Sequence, residues 1–159
     1  VRLGRLSADS VEEVDDMSDT FAFSAWQDRE AQHLDDVVVT PFKVEHPIEA
    51  FALRVEHRKS GAIVTYSGDT AYTPALIEAA RDADLFLCEA AWGVDPTDKP
   101  AGMHMSGAEA GRAARVAGVG KLVLVHLQPW GDAEATLAAA RAEFDGPVEL
   151  AFAGQEFEL

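Results

Sequence analysis

Between residues 37 and 66 the apolar positions fall in β-branched runs broken by turn residues, the pattern expected of strands. Val37 to Val44 is interrupted by Pro41 and predicts an edge or bulged strand ending in Glu45-His46-Pro47. Ala50 to Glu56 and Ala62 to Tyr66 predict two more strands, and the intervening His57-Arg58-Lys59-Ser60-Gly61 predicts a β-hairpin. Upstream, Phe21, Phe23 and Ala25 alternate with polar residues and predict a half-buried strand ending near Trp26. Residues 27–36 read as a charged loop in which His33 is solvated. Leu3, Leu6, Val11, Val14 and Met17 recur at near-helical spacing and predict a short amphipathic helix within residues 1–20.

After Tyr66 the period changes. Ser67-Gly68-Asp69-Thr70 breaks the apolar run, and Pro74 to Asp82 then predicts a helix with proline in its first turn. Leu85 to Cys88 is a short buried strand followed directly by Glu89. A Gly-, Pro- and Asp-rich loop over 93–103 leads into Met103-His104-Met105. Ser106 and Glu109 match a capping box, and the helix they open runs to about Ala117, where Gly118 can close it. Leu122 to Val125 is another buried strand, followed directly by His126. A helix over Asp132 to Phe144 stops at Gly146-Pro147, and Val148 to Phe152 and Glu156 to Leu159 supply terminal strands.

Strands first, then alternating strands and helices, give an α/β fold as a single domain over residues 1–159. Right-handed crossovers align the carboxyl ends of parallel strands. The first polar residues beyond three successive apolar strands are then Ser67-Gly68-Asp69, Glu89 and His126, all on one edge of the sheet. The hairpin carries the chain out from His46 and back to Asp69, which brings these two residues to that same edge.

Composition narrows the partners. The 159 residues are 48% hydrophobic and 26% charged, ordinary for a globular domain. Twenty-eight acids against 13 bases give a formal charge of −15, which repels phosphate backbones and makes nucleic acid an unlikely partner. The lone Cys88 cannot form an internal disulfide. No apolar run approaches the ~20 residues of a membrane span, and no secretory pattern opens the chain, so no membrane association and a cytoplasmic location are expected. The opening at Val1 is read as that of a fragment, a cloned domain or a processed product.

Two imidazoles and a carboxylate, His46, His126 and Asp69, suit a borderline cation such as zinc or manganese, and a carboxylate can bridge two cations. Glu89 and His104 remain for proton transfer, His104 as acid or base beside a carboxylate. Each histidine taken singly reads as a hydrogen-bonded structural residue; the convergence of polar strand ends is what favours a site. His57, on the hairpin turn, reads as surface. No His-x-His-x-Asp-His, His-Glu-x-x-His, Cys/His cluster, Gly-rich phosphate loop or Gly-x-Ser-x-Gly elbow occurs. The residues themselves thus imply part of a metal site.

Val44-Glu-His46-Pro-Ile-Glu-Ala-Phe51, Tyr66-Ser-Gly-Asp69-Thr70, Cys88-Glu89-Ala90, His104-Met-Ser106 and Leu122-Val-Leu-Val-His126 occur in that order over about residues 35–130. Together they resemble the C-terminal half of the metallo-β-lactamase-fold hydrolases, in the branch of ribonuclease Z and cyclic-nucleotide phosphodiesterases. The resemblance implies half of an αββα sandwich, a mixed sheet with helices on one face. It implies that His46, Asp69 and His126 are metal ligands, with Asp69 bridging two divalent ions in the intact protein. It also implies that Glu89 and His104 act around the scissile phosphate. The chain has Cys88-Glu-Ala-Ala where the family usually has His-Glu-Ala-Thr, and His104-Met-Ser where it usually has His-Ser-Thr.

By the same resemblance, the His-x-His-x-Asp-His motif belongs before residue 1, so at most one cation is expected to bind weakly to this chain and little catalysis by it alone. The long arm that many ribonucleases Z insert between the motifs of His46 and Asp69 is replaced by a tight hairpin. Small phosphodiesters such as cyclic nucleotides fit better than tRNA. The missing half, or a second chain in a homo-oligomer, is expected to cover an exposed apolar sheet face. Two alternatives remain open, a tRNA 3′-processing ribonuclease half and a non-catalytic binding module; a metal-independent hydrolase or nucleotide-binding domain is weaker, since phosphate loops are absent.

Overall fold

The computed structural model describes residues 20–22 and 24–159. Strands β1 (Gln32–Leu34), β2 (Val37–Val44), β3 (Ala50–His57), β4 (Ile63–Tyr66), β5 (Leu85–Glu89), β6 (Leu122–Val125) and β7 (Val148–Leu150) form one sheet in sequence order. The first four are antiparallel neighbours, and β4 to β7 run parallel. Helices α1 (Pro74–Ala80), α2 (Gly107–Ala117) and α3 (Ala133–Glu143) are the crossovers between the parallel strands. Successive crossovers of one hand toward the same edge put all three on one face. There Phe86, Cys88, Leu122, Leu124 and Ala52 pack on Leu76, Ala113, Ala114, Leu137 and Ala140 in a single core.

The strands predicted between residues 37 and 150 are all present, and local chemistry explains their edges. Pro41 sits inside β2 with no bulge, paired with Leu53. Its carbonyl accepts from Arg29 N–H at 2.7 Å, so its backbone polar groups point away from β3 and the missing N–H costs no ladder bond. Thr73 caps α1 by accepting from Leu76 N–H. Ser106 and Glu109 form the capping box of α2, and Gly118 ends it at φ 71°. Asp132 caps α3 through Ala135 N–H.

Three expectations are corrected. Phe21 to Trp26 forms no strand among the described residues, and Phe21 and Trp26 stay exposed. The outer edge of β2 that such a strand would need is taken by the turn at Asp28 and Arg29, which bonds Lys43 N–H and the Pro41 carbonyl. The charged loop 27–36 instead contains β1, a hairpin strand turned at Asp35 and Asp36, with His33 exposed as expected. Glu156 to Leu159 adds no strand, and β7 stops at Leu150. The predicted helix within residues 1–20 lies outside the described residues.

The opposite sheet face is apolar by alternation, carrying Val39, Leu53, Val55, Val64, Leu85, Leu87, Val123 and Val125. No helix covers it among the described residues. Leu159 reaches this face, lining a hollow of about 280 Å³ with Val37, Val55 and Val64. No described helix is long and apolar enough to cross a membrane.

Candidate metal centre

Strands β2, β4, β5 and β6 all point their carboxyl ends at one edge, since β2 is antiparallel to β3 and β3 to β4. Asp69, Glu89 and His126 follow or end β4, β5 and β6 at that edge, as the sequence predicts. The two halves of the edge are stitched by Ala71 N–H donating to the Glu45 carbonyl at 2.8 Å, which draws His46 toward Asp69. Ser67, fully buried, joins β4 to β5: its hydroxyl accepts from Glu89 N–H at 2.9 Å and donates to the Gly68 carbonyl at 2.7 Å. Gly68 itself turns at φ 61°, and a Cβ there would lie 2.6 Å from the Phe51 carbonyl oxygen. Only glycine fits this turn, which aims Asp69 at the edge.

The side chains of Asp69, Glu89, His104 and His126 converge, each offering a donor atom within 4.8 Å of the others. Glu89 is 1% exposed and its carboxylate is saturated. Oε1 accepts from Thr70 N–H at 2.7 Å and from His104 Nδ1 at 2.8 Å, while Oε2 accepts from Ala91 and Met105 N–H, both at 3.1 Å. Asp69 is more open: its Oδ1 lies 3.1 Å from His126 Nδ1. His46 stands outside the four. Its ring centre is 5.4 Å from that of His104, which in turn is 5.1 Å from that of His126.

Each of the three imidazoles turns Nδ1 toward an oxygen. His46 Nδ1 lies 3.1 Å from the Ile48 carbonyl and 3.4 Å from the Ile48 N–H, so either tautomer finds a partner there. Nδ1 of His104 bonds the Glu89 carboxylate at 2.8 Å, and Nδ1 of His126 lies 3.1 Å from Asp69 Oδ1. An oxygen behind Nδ1 is the arrangement in which a metal-binding imidazole is oriented to ligate through Nε2. Mixed imidazole and carboxylate donors suit zinc or manganese, so the residues fit such a cation. The field agrees in sign, since the Tyr66 phenol at the end of β4 is pushed up by partial burial and by the negative charges of Asp69 and Glu89.

His126 adopts φ 56°, the left-handed region that a non-glycine residue occupies at a cost of about 1–2 kcal/mol. Strain of this kind at the end of β6 swings the imidazole toward Asp69 rather than along the strand. The loop that delivers His104 is held at its base by Lys99, whose ammonium lies 2.5 Å from Glu109 of the capping box with both side chains largely buried. Sequence reading identified the five polar residues. It missed Trp92 and Trp130, which line a hollow with His104 and whose only signal was their closeness to the strand ends carrying Glu89 and His126.

The family model of the β-lactamase superfamily domain matches residues 6–127. The chain belongs to this family. An uncharacterized protein of Mycobacterium leprae is 45% identical over all of this chain, which covers 55% of that relative. Ribonuclease Z of Myxococcus xanthus is 41% identical over 64% of this chain and 34% of its own. The crystal structure of the metallo-β-lactamase-fold protein YhfI from Bacillus subtilis superposes with a TM-score of 0.78 at 31% identity, over 85% of this chain and 55% of that one. The fold is therefore the metallo-β-lactamase fold of a hydrolase family, and the chain spans about half the length of the proteins it matches most fully.

Proposed function

We propose that this β-lactamase superfamily chain carries part of the active centre of a divalent-metal-dependent phosphodiesterase for small phosphodiesters such as cyclic nucleotides. The observation that carries the reading is the pairing of a buried, saturated Glu89 with His104, beside the open carboxylate of Asp69 and its partner His126. His46, Asp69 and His126 are the residues that would hold zinc or manganese. Bound there, a divalent cation would polarise phosphoryl oxygens and lower the pKa of water.

The remaining roles belong to the chain itself. Glu89 is a positioning residue: it holds Nδ1–H of His104 and so presents Nε2 to the substrate. A protonated His104 can donate from Nε2 to the departing alkoxide as the P–O bond breaks, a step that general acids accelerate by about 10²–10⁴. Asp69 keeps one oxygen for ligation while the other orients His126.

The named ribonuclease Z relative favours a second reading, the processing of tRNA 3′ ends. The formal charge of −15 and the short turn between His57 and Ile63 favour the small substrate. We place the full activity in a longer assembly, with more chain or a second copy over the apolar sheet face, soluble and cytoplasmic. These 159 residues alone should bind at most one cation weakly.

The test is hydrolysis of bis-p-nitrophenyl phosphate with manganese or zinc, by the longest natural chain containing these residues. Asp69→Ala and His104→Ala should each lose about 100-fold or more in kcat/KM. Full activity in Asp69→Ala refutes the proposal.

A further inference from the structure

Two adjoining hollows open between the loop after β5 and the loop after β6. One of about 160 Å³ is lined by Ala90, Trp92, Leu127, Gln128 and Trp130, among others. The other, of about 300 Å³, is lined by Ala91, Trp92, His104, Gln128 and Trp130. Two indoles thus border a space that ends on the imidazole placed above as the proton donor.

The two tryptophans differ in a way that suits a binding wall. Trp92 is fixed: its backbone N–H donates to the Met105 carbonyl at 2.9 Å and its indole Nε1–H to the Thr97 carbonyl at 3.2 Å. Trp130 is 82% exposed, on a turn closed by Gly131 N–H to the Gln128 carbonyl at 2.9 Å. So large an indole takes no part in the core, and its ring face is open to a ligand. No lysine or arginine lines either hollow, and Asp132 lines the smaller one, so a phosphate is disfavoured there. What the space favours is the uncharged, flat part of a substrate. Gln128 offers an amide acceptor and two donors, as the edge of a base requires.

We propose that Trp92 and Trp130 form a stacking subsite for a nucleobase, next to the centre where His104 meets the phosphate. The assignment deepens the phosphodiester reading and rests on it for the group beside His104. The larger hollow lies at the small end of the ~300–1,000 Å³ range of ligand sites, the size for one ring system rather than a run of nucleotides. Stacking of a base on an aromatic side chain is worth about five- to a hundredfold in affinity and tolerates any base. The subsite therefore distinguishes nucleotides from other phosphodiesters rather than one base from another.

Isothermal titration calorimetry with adenosine 5′-monophosphate and ribose 5-phosphate, metal-free, separates the base from the sugar phosphate. The chain should bind the nucleotide about tenfold or more tightly than the sugar phosphate. Trp130→Ala, at an exposed position that folding does not need, should remove that preference, and Trp130→Phe should keep most of it. Equal affinity for the two probes, a preference that survives Trp130→Ala, or binding of neither probe at millimolar concentration overturns the subsite. These outcomes are independent of hydrolysis. A base preference lost in Trp130→Ala supports the subsite even if bis-p-nitrophenyl phosphate is not cleaved, and an unchanged preference sinks it even if that substrate is.

Discussion

Glu89 holds His104 at 2.8 Å with the same carboxylate that collects three backbone N–H groups, from Thr70, Ala91 and Met105. One buried side chain therefore joins the segment after β4, the segment after β5 and the loop before α2, while it orients the imidazole. Positioning and stability are coupled at this residue. The His104 imidazole bridges no set of backbone groups in that way, and its side chain is 19% exposed.

The two halves of the pair should separate in a denaturation experiment. Glu89→Ala strands three buried N–H groups and should cost about 3 kcal/mol or more of stability, with a visibly lower urea midpoint. His104→Ala should cost less than about 1 kcal/mol while abolishing its share of any hydrolysis. Equal midpoints for the two variants would show that the Glu89 contacts contribute nothing to the fold.

The left-handed backbone at His126 predicts an ordering between two variants that both lack the imidazole. At φ 56° a Cβ is strained, so His126→Gly should be more stable than His126→Ala by about 1 kcal/mol. Thermal melts of the two compare like with like, because each loses the imidazole that faces Asp69. A less stable glycine variant would mean that the turn relaxes without its imidazole.

Helices α2 and α3 approach closely through two glycines. A Cβ on Gly107 or Gly111 would fall 2.3 Å from the carbonyl oxygen of Thr136 or Ala140. Gly111→Ala should force the helices apart at a cost of about 1–3 kcal/mol, measured by urea denaturation. Because α2 begins at the Ser106 cap just after His104, Gly107→Ala should also disturb the site.

Arg29 clamps the turn before β1 onto α1 through Glu78, with a 2.7 Å ion pair. The guanidinium holds the Glu78 carboxyl below its ordinary value of 4.5. A carboxyl depressed in the folded state stabilises it above the unfolded value and loses that contribution as pH falls through the folded one. Wild type should thus melt slightly higher than Glu78→Gln at neutral pH, and the difference should shrink as the pH falls below 4.5 through the depressed carboxyl value.

Much of this architecture was legible because it is local. The capping box at Ser106 and Glu109, Gly118 at the helix end, and the apolar runs of β2 to β6 each announce themselves within a few residues. The hairpin geometry was enough to bring His46 and Asp69 to one edge. Strand β1 was not legible, since Gln32-His33-Leu34 has no alternation and exists only as a partner to β2. The strand expected at Phe21 to Trp26 failed for the converse reason: its pattern was right but its edge was taken by Asp28 and Arg29. In the site, residue types could be read, but the four donors around Glu89 and the offset of His46 arise from chain segments far apart in sequence.

The central claim is that Asp69 and His126 belong to a cation site. Equilibrium dialysis against zinc or manganese, followed by elemental analysis, tests it on the chain itself. The expected result is weak binding of no more than one cation per chain, lost in Asp69→Ala and in His126→Ala but kept in His33→Ala and His57→Ala. Cation binding that is unchanged in Asp69→Ala, or two cations held tightly by the wild-type chain, would contradict it.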